Sequence, residues 1–89
     1  MGKDLVRPTD RFTEGMSLLG KSEKILVLDT LELYFLHPSH PSLVNHPLRE
    51  RDPRIRSITV DKNLRIILRD MGSGRILLLD VGSHDRVYV

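Results

Sequence analysis

The sequence predicts an α+β fold: a short N-terminal strand and a two-helix hairpin packed on a mainly antiparallel sheet of three to four C-terminal strands. Three observations predict it. Apolar residues recur at helical spacing from residue 10 to residue 36, and from residue 44 onward the period becomes strand-like. Two turn sequences, Asp61-Lys62-Asn63 and Asp70 to Gly74, then cut the second half into short strands. A chain of 89 residues has room for one domain, expected to span residues 1–89.

Lys3 to Arg7 reads as the first strand. Pro8-Thr9-Asp10 then opens a helix, with Thr9 or Asp10 as cap and Glu14 within capping-box reach. Phe12, Met16 and Leu19 fall at helical spacing, and Gly20 stops this helix after residue 19. Ser22 reads as the cap of a second helix, with Glu23 in its first turn. Ile25, Leu28, Leu31 and Phe35 lie along one stripe of it, with Val27 and Tyr34 beside them, so the segment is apolar on most faces. Pro38 ends the helix and pushes His37 toward extended geometry.

Val44 to Leu48 reads as an edge segment, because Pro47 would remove a ladder hydrogen bond in a sheet centre. Residues 54–60, 64–69 and 75–81 follow as strands. In the middle one Leu64, Ile66 and Leu68 share one face, while Arg65 and Arg69 share the other. Leu77 and Leu79 read as core. The helices should therefore cover the apolar face and leave arginines on the opposite one.

The net charge is +2, unevenly spread: residues 1–44 carry −1 and residues 45–89 carry +3, and eight of the nine basic residues in the second half are arginine. Arginine grips phosphate bidentately and stacks on bases. There are no cysteines, which excludes disulfides and thiolate metal sites. No apolar stretch is long enough to span a membrane, and the N-terminus lacks the apolar core of a signal peptide, so a cytoplasmic protein is expected. Val6 breaks the pattern that would make Gly2 a myristoylation site.

The C-terminal segment concentrates the chemistry. After two apolar and arginine-containing runs it presents Gly82-Ser83-His84 and then Tyr88. Imidazole moves protons near neutral pH, guanidinium binds phosphate and an aromatic ring stacks on a base. Together they point to RNA chemistry if they converge. His37 and His40 sit in a proline-containing loop with no carboxylate, which argues against a metal site there, and none is expected elsewhere.

The run from His37 to Tyr88 resembles the RelE superfamily of bacterial toxins, most closely its YafQ-like branch. The residues that carry the resemblance are Pro41-Ser42-Leu43, Asn45-His46-Pro47-Leu48, the strand containing Arg56-Ser57, the strand containing Arg65, and Gly82-Ser83-His84 with Tyr88 four residues on. The N-terminal half matches in layout only. The resemblance implies a small endoribonuclease that cleaves mRNA in the ribosomal decoding site and is neutralised by a cognate antitoxin. It implies attack by the 2′-hydroxyl on the adjacent phosphate, with no metal or small-molecule cofactor. By position, His46, Arg65, His84 and Tyr88 match the family's catalytic set, the two histidines sharing acid and base roles. Arg56 is a second phosphate-binding candidate, and Arg49, Arg51 and Arg54 form a basic loop that could contact the RNA backbone. Where the YafQ-like branch carries a further histidine and a further aspartate, this chain has Thr59 and Asn63, neither of which titrates near neutral pH. A non-catalytic or attenuated RelE/ParE-fold binding protein, a decayed or gyrase-directed toxin, is the alternative that this departure implies.

Overall fold

The computed structural model describes residues 5–49 and 52–88. Strand β1 (Val6–Pro8) leads into helix α1 (Asp10–Ser17) and helix α2 (Lys21–Leu36). A 3-10 turn (Pro41–Leu43) connects them to strands β2 (His46–Arg49), β3 (Asp52–Thr59), β4 (Leu64–Asp70) and β5 (Ile76–Ser83), and a one-turn helix α3 (His84–Val87) ends the chain. The five strands form one sheet in the order β1-β5-β4-β3-β2. All neighbours are antiparallel except β1, which runs parallel to β5 with Val6 opposite Ile76. The expected α+β layout is therefore present, with the N-terminal strand completing the sheet. Of the expected first strand, residues 3 and 4 lie outside the described residues. No helix among the described residues is long and apolar enough to cross a membrane.

Thr9 fixes the first helix to the sheet. Its Oγ1 accepts from the Phe12 backbone N–H (3.3 Å), as an N-cap should, and donates to the Leu78 carbonyl of β5 (2.9 Å). The close approach this produces is accommodated at Gly15, where a Cβ would lie 2.3 Å from the Val81 carbonyl oxygen. Helix α1 ends at Ser17, two residues earlier than the spacing predicts. Glu14 forms no capping box; it turns instead to Arg86 (3.2 Å). The cap of α2 is Gly20, not Ser22, because the Glu23 carboxylate reaches back to the Gly20 N–H (2.9 Å).

The core lies between the helices and one face of the sheet. Phe12 and, from α2, Val27, Leu31 and Tyr34 pack with Leu43, Ile58, Ile66, Leu68, Ile76, Leu78 and Val81. The stripe of α2 that faces the core is thus the neighbouring one: Ile25, Leu28 and Phe35 are exposed. Strand β5 also departs from expectation. Ile76 and Leu78 are core residues while Leu77 and Leu79 are only half-buried, because β1 and β4 set the parity of β5 from its first residue. A register shift follows. Leu68 faces Leu78 but Ile67 faces Asp80, so Leu79 is an extra residue in the ladder. Val44 closes the 3-10 turn in the left-handed region (φ 45°), and β2 begins only at His46.

Tyr34 closes the far end of this core. Its hydroxyl donates to Asp70 Oδ2 at 2.5 Å. Burial first, then the hydrogen bond to Asp70 and its charge, push the phenol well above its ordinary range. The unfolded chain therefore releases this proton first as pH climbs past about 10, and the stability present below that pH is lost as it rises. Denaturation at a series of pH values from 9 to 11 should show a steeper fall for the wild type than for Tyr34→Phe. Equal slopes would show that Tyr34 carries none of the alkaline sensitivity.

Candidate functional site

The face of the sheet turned away from α1 and α2 is set by parity. In β4, Ile66 and Leu68 point into the core, so Arg65, Ile67 and Arg69 point the other way. Their β3 partners on that face are Thr59, Ser57 and Ile55. Across β3, His46 of β2 sits opposite Ser57. Ile67 is buried although it belongs to this outer face, because α3 folds back against β4 and β5. The short helix delivers His84 and Tyr88 to the same face.

These groups form a connected set. The Tyr88 hydroxyl is hydrogen-bonded to Ser57 Oγ, and Ser57 is fully buried. The Tyr88 ring packs against the His84 ring with centroids 4.3 Å apart and planes inclined by 56°. Residues 84 and 88 are one helical turn apart, which puts them on one side of α3. His46 is exposed and its Nδ1 lies 2.8 Å from the Val44 carbonyl. A carbonyl only accepts, so Nδ1 carries the hydrogen and, in the neutral ring, Nε2 keeps its lone pair.

Arg65 lies between Thr59 on β3 and Gly82 on β5. Its Nη1 donates to the carbonyls of Asp61 (2.5 Å) and Leu64 (3.0 Å). No carboxylate among the described residues pairs with it. Asp61 uses its own carboxylate to cap the β3–β4 turn, accepting from the N–H groups of Asn63 (2.7 Å) and Leu64 (2.8 Å). Asp80 is engaged by Arg11 and Arg86. Arg65 is thus held in place by neutral acceptors, and no described carboxylate neutralises its charge.

The other arginines differ. Arg54 Nε and Arg69 Nη2 share the two oxygens of Asp52 (3.1 and 3.0 Å). The hydrogen bond from Arg54 is the main reason the Asp52 carboxyl is held below its usual range. Arg56 belongs to the core side of β3, opposite Leu68. Its Nε donates to Asn45 Oδ1 (2.7 Å) and its Nη1 to the Pro53 carbonyl (3.2 Å), so it braces the loop before β2 and does not join His46 and Arg65. Arg51 and the side chain of Arg49 lie outside what the structure describes. His40 caps the 3-10 turn by accepting from Ser42 N (3.2 Å), and His37 closes α2. Among the described residues there is no cluster of three groups suited to a metal ion.

The sequence matches no family model and no curated protein. Solved structures match over nearly the whole chain. YafQ from E. coli is 15% identical, with 94% of this chain and 97% of that chain covered and a TM-score of 0.76. The fold is that of the YafQ toxins. In the E. coli DinJ-YafQ complex the match is 17% identical, covers 94% of this chain and 97% of the other, and has a TM-score of 0.73. A YoeB/ParE toxin from Agrobacterium tumefaciens is 16% identical over 89% of this chain and 96% of its own, with a TM-score of 0.74. At these identities the likeness is one of fold, and the roles of individual side chains rest on the geometry above.

Ser57 is part of the resemblance, but the sequence alone gives it no role. The role of a serine in a strand is not readable until its partner, here Tyr88, is known. Because the Ser57 hydroxyl is fully buried, Tyr88→Phe should leave it without a partner, at a cost of about 1–3 kcal/mol in chemical denaturation. The double variant Ser57→Ala/Tyr88→Phe should cost less than the sum of the two single changes. Strict additivity would show that the two hydroxyls do not support each other.

Proposed function

We propose that this protein is an endoribonuclease toxin of a type II toxin–antitoxin pair, cleaving mRNA on the ribosome in the cytoplasm. One observation carries the reading: a single sheet face gathers two exposed histidines, a tyrosine and an arginine whose charge no described carboxylate neutralises. The YafQ-type fold supports it.

The chemistry needs a base, an acid and a cation, and no metal. Nε2 of His46 holds the free lone pair and takes the proton of the 2′-hydroxyl. The 2′-oxygen attacks the adjacent phosphorus, the bond from phosphorus to the 5′-oxygen breaks, and His84 in its imidazolium form gives a proton to that leaving oxygen. Arg65 stabilises the charge gathered on the phosphorane. The products are a 2′,3′-cyclic phosphate and a 5′-hydroxyl. Tyr88, fixed by Ser57, orients the nucleotide beside His84. Arg49, Arg51 and Arg54 follow His46 in sequence and would hold the RNA backbone, whereas Arg56 is bonded to Asn45 on the other side of β3. The ribosome would present message in the geometry that this open face does not impose by itself. A cognate antitoxin would neutralise the protein, as DinJ accompanies YafQ. Leu18, Ile25, Leu28 and Phe35, exposed on and beside α2, offer apolar surface for such a partner.

A second reading, a non-catalytic or attenuated binding protein on this fold, is favoured by Thr59. It faces Arg65 where a titratable group would serve catalysis better.

Induced expression in bacteria separates the two. Wild type should arrest growth and create new mRNA 5′ ends. His84→Ala should lower cleavage by roughly 10²–10⁴-fold, and Arg65→Ala by roughly 10²–10³-fold. Arrest through DNA gyrase without RNA cleavage would favour the second reading, and neither effect from soluble protein would overturn the first.

A further inference from the structure

Two polar residues among the described ones are buried, Ser57 (0% exposed) and Asp80 (5%), and both hold the same short helix. Ser57 holds it through Tyr88. Asp80 holds it through Arg86: its Oδ1 accepts from Arg86 Nε (3.2 Å) and from the Val81 N–H (2.8 Å), and its Oδ2 accepts from Arg11 Nε (2.7 Å). Arg11 and Arg86 also exchange backbone contacts. Arg11 Nη2 donates to the Arg86 carbonyl (3.1 Å) and Arg86 Nη2 to the Arg11 carbonyl (3.2 Å). Glu14 adds an outer contact to Arg86 Nη2 (3.2 Å). The extra residue in β5, Leu79, precedes Asp80 in this network. Gly82 leaves room for the Arg86 stem, because a Cβ there would lie 2.5 Å from Arg86 Cδ.

We propose that Asp80 and Arg86 are positioning residues for the candidate site: their ion pair, backed by Arg11, sets the rotation of α3 and thereby the placement of His84 and Tyr88. This rests on the RNase reading for its consequence in catalysis, but not for its geometry. Helical periodicity gives the reason. Residues 84 and 88 project from one side of the turn, and residue 86, about 200° around the helix from each, projects from the other. Asp80 draws the Arg86 side toward α1 while Ser57 fixes the opposite side over β3. A single turn has no helical stability of its own, so its orientation comes from these two tethers.

Arg86→Gln is suited to the test because Asp80 keeps Arg11 as a partner and the fold keeps a paired carboxylate. The measurement is the NMR cross-relaxation between the Tyr88 ring protons and the Ser57 β-protons, which belong to different elements and so report how α3 sits on β3, taken with a thermal melt on the full chain. Wild type should show the contact. So should Glu14→Gln, since Glu14 is an exposed outer partner. Folded Arg86→Gln and Asp80→Asn should lose it. Their cleavage of message on ribosomes should fall by roughly 100-fold in kcat with KM little changed, the effect of a displaced acid rather than of weaker binding. If Asp80→Asn does not fold, Arg86→Lys decides, because a lysine keeps the charge but not the fork of contacts and should weaken the contact. A contact kept at full strength in folded Arg86→Gln overturns the proposal. Absence of cleavage by wild type overturns the RNase reading alone, because the contact is read without RNA.

Discussion

A helix of four residues is far below the length at which helices hold themselves together in water, and half of the candidate site is carried by one. His84–Val87 places an imidazole and, through Tyr88, an aromatic ring over the sheet, so the site is only as ordered as the tethers of that turn. The fold supplies two of them, and the turn's own cap adds a third contact. Ser83 caps its start by accepting from Arg86 N (3.3 Å), Ser57 fixes its end through Tyr88, and Asp80 fixes its middle through Arg86. A buried carboxylate is costly unless paired and fully hydrogen-bonded. Here both oxygens of Asp80 are occupied, so the pair sets a geometry without leaving an uncompensated charge.

The rest of the molecule makes that arrangement possible by dividing the labour between two faces of β4. One face meets the helices and supplies the core. The other carries Arg65 and, across the ladder, Ser57 with His46 beyond it. The arginines divide in the same way. Arg11, Arg54, Arg69 and Arg86 are matched to carboxylates, and Arg56 is used on Asn45. Arg65, like Arg56, is anchored through neutral acceptors, which orient a guanidinium without cancelling its charge, and of the two Arg65 lies on the face of His46 and Ser57.

Much of this was legible in the sequence, and the misses have identifiable causes. Arg65 and Arg69, four residues apart in an otherwise apolar run, marked the two faces of β4, and with them the side of Arg65. Gly82-Ser83-His84 and Tyr88 marked the C-terminal turn whose two rings pack together over the sheet. The stripe of α2 that faces the core was not legible because the helix is apolar nearly all round, so period alone does not choose between Ile25/Leu28 and Val27/Leu31/Tyr34. The parity of β5 failed for the same reason. Ile76 to Leu79 is an unbroken apolar run, and its register is decided by β1, a partner 70 residues away in sequence. The pairing of Arg56 with Asn45 was not legible, because charge in a strand says nothing of its neighbours and Asn45 comes from a loop. Asp80 is a single polar residue among apolar ones and Ser57 follows an arginine in a strand, and only the three-dimensional arrangement shows that both end at the same turn. A signal for α3 was present, since Ser83 with Asp85 in the following turn is a helix start, but four residues are too few for periodicity to speak.

The most direct measurement is the chemistry of the RNA ends. Purified protein added to translating ribosomes on a defined message should produce an upstream fragment ending in a 2′,3′-cyclic phosphate and a downstream fragment beginning with a 5′-hydroxyl, the signature of 2′-hydroxyl attack. Message left intact by folded protein on programmed ribosomes, or ends with a 5′-phosphate, would contradict the account.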